Sequence, residues 1–408
     1  MVYTITAPQL KSTTIKLPAS KSISNRLLLI NVLSANPNIP DNLSDSDDTA
    51  VMLKALKSDC SLVDVGAAGT SMRFLTAYLS LLPGSHVITG SERMKKRPIA
   101  ILVDALRSLG ADITYVENEG FPPLKIEGKQ LHGGTISLPG NISSQFISAL
   151  MMIAPMIKGG LTIQLTGKIV SQPYINMTLK TMEQFGIKGS WDGSVISIPE
   201  GNYLHIPSSV ESDWSAASYW YEITALAPSI SEELLGLMTN SLQGDSEGRH
   251  IAEKLGVSTT ANSSNGNLKL QSSLTPVSHL EYDFNSQPDI AQTFVVACCC
   301  LGVTFHFTGL ESLKIKETDR ISALINECKK IGFVLHTNDI DDLKWNGETC
   351  TPTNEPILTY KDHRMAMAFA PAAIKLGAIK IDDPAVVSKS YPKYWEDLKS
   401  IGFNIEEN

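Results

Sequence analysis

The sequence predicts an α/β protein of two similar domains, each made from three copies of one repeated unit. Three observations carry this expectation. The chain has 408 residues, more than one hydrophobic core usually serves. A glycine closes an amphipathic helix and opens a strand five times, at Gly110, Gly186, Gly256, Gly332 and Gly402, with spacings of 76, 70, 76 and 70 residues. A second kind of helix, apolar almost all round, alternates with the first.

The amphipathic segments read LVDALRSLGADITY, LKTMEQFGIKGS, IAEKLGVSTT, NECKKIGFVL and WEDLKSIGFNI. Glycine suits each helix end because the residue just past a helix often needs positive φ. A sixth copy, MLKALKSDCSLVDV, has Lys57-Ser58 in its place. The apolar helices read SNRLLLINVLS, TSMRFLTAYLSLL, SSQFISALMMIAPMI, WSAASYWYEITAL, AQTFVVACCCL and RMAMAFAPAAIKL. Such helices belong inside a core. Short strand candidates follow them, among them LTIQLTG, VTFHFTGL and AIKIDDP. A period of this length is long for a solenoid and fits a repeated α/β unit. Three units per domain divide the chain near Glu211–Asp213.

The starts of the apolar helices are rich in Ser, Thr, Gly and Asp: Ser20-Lys21-Ser22, Ala68-Gly69-Thr70, Ser143-Ser144-Gln145, Ser212-Asp213, Pro288-Asp289 and Asp362-His363-Arg364. Ordinary capping explains one or two of these. Capping does not explain why Lys21, Arg26, Arg73 and Arg364 cluster at the same places. Free N–H groups and the helix dipole make such ends sites for anions.

Composition removes several classes of function. Net charge is −8, so there is no general attraction to nucleic acid or to an anionic membrane. Hydrophobic residues make up 43% and charged residues 19%, as in a soluble globular protein. The apolar run from Thr293 to Phe307 is too short to span a bilayer and reads as a buried helix plus a strand. The N-terminal MVYTITAPQLKSTTIKLP lacks the apolar core of a signal peptide, so the expected compartment is the cytoplasm. The six cysteines, Cys60, Cys298, Cys299, Cys300, Cys328 and Cys350, form no CxxC pair and no zinc-ligand spacing. They read as small core residues in a reducing compartment. No GxGxxG or GxxxxGK[ST] loop precedes a helix, so neither a dinucleotide nor a nucleoside triphosphate is expected.

One highly charged stretch is Lys314-Ile315-Lys316-Glu317-Thr318-Asp319-Arg320, between the strand-like Val303–Leu310 and the helix-like Ile321–Ile331. Alone it would be a solvated helix start. Together with LPASKSISNR, GAAGTSMRFL, KKRPI, GNISSQFISAL, SQPYI, NSQPDIAQT, DHRMAM and SKSYPKYW, it resembles the EPSP synthase family, the 3-phosphoshikimate 1-carboxyvinyltransferases. The nine segments stand in the family's order from Leu17 to Trp395.

The resemblance implies two domains of three βαβαββ-type units each, an inverse α/β barrel-like fold that closes like a clam on substrates held in the interdomain cleft. The chain would cross between domains twice, so that residues 1–20 with 213–408 form a discontinuous domain and 21–212 an inserted one. The implied reaction moves the enolpyruvyl group of phosphoenolpyruvate to the 5-hydroxyl of shikimate 3-phosphate through a tetrahedral intermediate, in the shikimate pathway to chorismate and the aromatic amino acids. It implies no metal and no organic cofactor, no partner beyond the two substrates, and a monomer. Shikimate 3-phosphate would be held by Lys21, Ser22, Arg26, Ser143, Ser144, Gln145, Ser171, Tyr174, Asp289, Ser312 and Lys316. Phosphoenolpyruvate would be held by Lys21, Gly69, Arg97, Gln145, Arg320, Arg364 and Lys389. Arginine suits that role because its planar fork pairs carboxylate and phosphate oxygens two at a time. Asp289 resembles the family's base and Glu317 its proton donor, with Lys21 at the reacting centre.

Two positions depart from the family's commonest pattern. Ala67 replaces an Asn near phosphoenolpyruvate, and Ser312 replaces an Asn on the shikimate side. The alternative reading is the sister transferase acting on UDP-N-acetylglucosamine. Its loop before the Arg-Pro pair usually carries a reactive Cys, whereas residues 91–98 here, SERMKKRP, have none.

Overall fold

The first strand belongs with the last. In the computed structural model, which describes residues 1–34, 39–57, 61–262, 267–273 and 275–408, Val2–Thr6 lies antiparallel between Ala378–Asp382 and Asn404–Glu407. Ile5 is completely buried there, and the other four residues of the strand are half-buried. Thr13–Lys16 then runs parallel to Ser231–Leu235, at the edge of a four-stranded sheet with Leu268–Ser272 and Val257–Ala261. Non-local strand pairing of this kind makes the N-terminal segment part of the C-terminal half.

The chain divides into two compact units, residues 1–19 with 211–408 and residues 20–210. Compared with the expected division, Ser20 falls in the inserted unit, and Glu211 and Ser212 fall in the discontinuous one. Hydrogen bonds explain both shifts. Ser20 caps the helix Lys21–Leu33. The Ser212 amide donates to Gly236 O at 2.8 Å, and Glu211 accepts from the Met238 amide at 3.2 Å.

The discontinuous unit holds three buried helices, Trp214–Leu226, Ala291–Leu301 and His363–Phe369, the second packed against the other two. Its sheets and amphipathic helices cover them. A third sheet has His279–Asp283 and Leu343–Trp345 on either side of Thr304–Thr308. The inserted unit repeats the plan with Lys21–Leu33, Gly69–Leu79 and Ser144–Ile153 inside. It has two four-stranded sheets, one running in space from Leu62–Asp64 to Asp112–Tyr115 and one from His132–Pro139 to Ser190–Asp192. The repeats are not equal. Where a third sheet would stand, the described residues contain one parallel bridge, Asp41 with Ser209.

The five repeat glycines all have positive φ, between 84° and 109°. Ser58 of the sixth copy, and Cys60, lie outside the described residues. The apolar run at Thr293–Phe307 folds as the end of Ala291–Leu301 followed by Thr304–Thr308. Cys298, Cys299 and Cys328 are buried, and the five described cysteines are free. Among the described residues, no helix is long and apolar enough to cross a membrane, and no group of His, Cys, Asp and Glu could hold a metal ion.

Candidate active site

In the discontinuous unit, three helix starts deliver charged side chains to one place. The strand Thr304–Thr308 runs into the 3-10 turn Glu311–Ile315, then Lys316 and Glu317. Asp319 caps the helix Arg320–Lys330 by accepting from the Ser322 amide at 3.1 Å. This turns Arg320 inward, where it is 1% exposed. Asp362 caps His363–Phe369 by accepting from the Arg364 amide at 2.9 Å. Asp289 sits on the turn Pro288–Ile290. The helix after it, Ala291–Leu301, has Ile290 at its N-cap, which makes no side-chain cap hydrogen bond.

The carboxylates and cations interlock. Arg320 donates from Nε to Asp362 Oδ2 at 2.7 Å, from Nη1 to Asp289 Oδ1 at 3.2 Å, and from Nη2 to Glu317 Oε2 at 3.0 Å. Arg364 Nη2 lies 3.1 Å from Asp289 Oδ2, and Lys316 Nζ lies 3.5 Å from Asp289 Oδ1. Lys389 Nζ is 3.5 Å from Glu317 Oε1. Burial alone would raise the pKa of Asp289. Arg364, Lys316 and Arg320 outweigh it and hold the group well below the usual carboxylate range. For Arg320, burial opposes the charge, and Asp362, Glu317 and Asp289 more than offset it, raising its pKa. Asp289 and Arg320 are therefore ionised at neutral pH. Ser312, on the adjoining turn, is half-buried, and its side chain makes no hydrogen bond among the described residues.

The inserted unit carries the other expected residues. Lys21, the first residue of its helix, points its Nζ at Asp48 Oδ2, 3.8 Å away. Arg26 is buried and donates to Thr178 Oγ1 (2.8 Å), Ser148 Oγ (3.0 Å), Ser22 O (2.9 Å) and Tyr174 O (3.3 Å), with its guanidinium 6.0 Å from the Tyr174 ring centroid. Burial lowers its pKa to about 10, so it stays charged at neutral pH. Ser143 caps Ser144–Ile153 through the Gln145 amide, and Gln145 Nε2 donates to Thr70 Oγ1 at 3.0 Å. Ser171 has left-handed backbone, φ 55°, and its side chain does not cap the helix Gln172–Gln184 that it precedes. Strain of this kind in a non-glycine residue is often kept where a side chain must face a ligand. Arg97 lies flat against the start of Gly69–Leu79: a Cβ on Gly69 would sit 2.5 Å from Arg97 Nη1.

Several participants were not among the expected site residues. Asp48 and Thr70 are partners of Lys21 and Gln145. Asp362 looks like a simple cap, and its second role, holding Arg320, depends on a residue 42 positions away. Asp245 is buried, accepts from the Ser215 hydroxyl, and is pushed up to about 7 by burial and then by Asp289.

Helix starts lined with arginine, lysine and hydroxyls beside paired carboxylates are the parts of an enzyme that handles small anions. Solved structures with this fold include EPSP synthase from Acinetobacter baumannii, which matches with a TM-score of 0.78 at 21% identity, each chain covered completely. The family profile for EPSP synthase (3-phosphoshikimate 1-carboxyvinyltransferase) matches residues 57–398. A 3-phosphoshikimate 1-carboxyvinyltransferase of Bacteroides fragilis is 56% identical, over 100% of this chain and 99% of its own. One from Vibrio atlanticus is 37% identical over 95% and 96%. The chain belongs to the EPSP synthase family.

Proposed function

We infer that this protein transfers the enolpyruvyl group of phosphoenolpyruvate to the 5-hydroxyl of shikimate 3-phosphate, releasing phosphate. The observation that supports this most is the Asp289–Glu317–Arg320 cluster. It has two carboxylates in different settings, each paired with cations suited to an anionic substrate.

Asp289 takes the proton of the 5-hydroxyl. Three cations hold it ionised in the free protein, which also makes it a weak base. Phosphoenolpyruvate draws on Arg320 and Arg364, so its binding loosens their hold on Asp289 and strengthens the base when it is needed. Glu317, between Arg320 and Lys389, takes up a proton as the anionic substrates draw those cations away, protonates the methylene carbon, and takes the proton back as phosphate leaves. Lys21 leaves Asp48 for the reacting centre. Arg97 and Lys389, with Gly69 and Gln145, complete the phosphoenolpyruvate contacts. Ser22, Arg26, Ser143, Ser144, Ser171, Tyr174, Ser312 and Lys316 hold shikimate 3-phosphate. The protein acts as a monomer in the cytoplasm.

The names of the relatives favour the shikimate substrate over UDP-N-acetylglucosamine. The test is phosphate release from phosphoenolpyruvate with each acceptor in turn. Release with shikimate 3-phosphate alone is expected; release only with the UDP sugar, or with neither, refutes the reading.

A further inference from the structure

We propose that Arg73 is a positioning residue that sets the angle at which Arg97 meets phosphoenolpyruvate, without itself touching the substrate. The inference rests on the reading of Arg97 given above. Arg73 lies one turn into Gly69–Leu79 and is 4% exposed. Its Nη1 donates to Gly69 O at 3.1 Å and to Met94 Sδ at 3.7 Å, and its Nη2 donates to Pro98 O at 3.4 Å. Its guanidinium lies 5.5 Å from the ring centroid of Phe146, on the helix that begins with Ser144 and Gln145.

These contacts share a purpose. Met94 and Pro98 bracket residues 95–97, and the Met94 carbonyl accepts from the Arg97 amide at 3.0 Å. One fork thus holds both ends of the segment that carries Arg97, together with the helix start on which Arg97 rests. The loop is fastened upstream as well. The Ser91 amide donates to Gly66 O at 2.9 Å, and Gly90 has no room for a Cβ, which would stand 2.6 Å from Gly66 O.

Among the described residues, the Arg97 side chain makes no hydrogen bond or ion pair of its own. Its direction is inherited from its backbone and from the face of Gly69. A bidentate contact is sensitive to that direction, and a misplacement near 1 Å can cost on the order of 100-fold. Only arginine offers donors in a rigid fork that spans three separate acceptors. Burying a guanidinium in an apolar setting has a desolvation cost, so simple core filling is a poor account of position 73.

The experiment compares Arg73→Met, Arg97→Ala and the double variant, by phosphate release, direct titration of shikimate 3-phosphate, and melting temperature. Arg73→Met should raise the phosphoenolpyruvate KM on the order of 10- to 100-fold. Its kcat should stay within a few-fold, and shikimate 3-phosphate affinity should be unchanged. In the Arg97→Ala background it should add nothing, because there is no Arg97 left to position. A merely structural residue would lower stability and would act equally in both backgrounds, which would overturn the proposal. So would an unchanged KM in Arg73→Met while Arg97→Ala raises it. If Arg97→Ala itself leaves the KM unchanged, the assignment of Arg97 fails, and the role of Arg73 falls with it. Should Arg73→Met not fold, Met94→Leu removes one end of the pin at similar volume. It should raise the same KM about threefold only when Arg97 is present, and no rise overturns the proposal.

Discussion

Glu232→Gln should uncouple part of this protein's stability from pH. Glu232 is 1% exposed in the strand Ser231–Leu235. Its Oε2 accepts from Thr224 Oγ1 at 2.5 Å, and its Oε1 has no hydrogen-bond partner among the described residues. Burial pushes its pKa from 4.5 to about 7, against the lowering effect of the Thr224 hydroxyl and of its own backbone. In the window between those values the folded chain keeps a proton that the unfolded chain has lost. Stability therefore falls as pH rises through the window, with no loss below it and the full loss above it. At about 1.4 kcal/mol per pH unit, the ionised form costs the fold about 3 kcal/mol. Glutamine keeps the acceptor for Thr224 and does not titrate. Its amide adds a buried donor, which costs about 1 kcal/mol at every pH. The expectation is a variant slightly less stable than wild type at pH 4.5 and about 2 kcal/mol more stable at pH 8. Urea unfolding at both pH values measures this. Asp245 and Glu222 also have raised pKa values and tilt the wild-type curve in the same direction, but they are common to both proteins and cancel in the difference. Parallel pH profiles for the two proteins would refute the reasoning.

Asp289→Asn should lower kcat by about 10²–10⁴, the usual contribution of a general base, while shikimate 3-phosphate still binds in a titration; turnover within a few-fold of wild type would place the base elsewhere. Gly69→Ala meets only the far end of a flexible side chain, Arg97, and Gly69 does not have positive φ. The melting temperature should therefore hold while the phosphoenolpyruvate KM rises about tenfold; a large drop in melting temperature would show that the clash falls on the backbone instead. Asp362→Asn keeps the cap on the Arg364 amide but removes the charge beside Arg320, so it should destabilise by about 3 kcal/mol and raise the phosphoenolpyruvate KM. Asp362→Ala should cost roughly 1 kcal/mol more through the lost cap, and denaturant unfolding of the pair separates the two roles.

The repeat was legible in the chain because its signals are local. A glycine past a helix end is demanded by φ, and all five repeat glycines have the positive φ that the pattern requires. Apolar helices announce burial by composition alone, and Trp214–Leu226 is buried at every position but Ser215. The cations at helix starts were legible for the same reason, as was the charge-rich run that ends at Arg320. Tertiary structure decided what those charges do. Asp289 looks like a helix-start acid; that its carboxylate meets Arg320 and Arg364 depended on residues 31 and 75 positions further along. Asp362 and Asp48 look like ordinary helix-start acids until folding sets them against Arg320 and Lys21. The inequality of the repeats, with one parallel bridge where a third sheet would stand, also escaped the sequence, because strand pairing depends on distant partners. A periodic pattern records what each residue needs from its immediate neighbours. The charge balance of a buried cluster is a sum over residues that only the folded chain brings together.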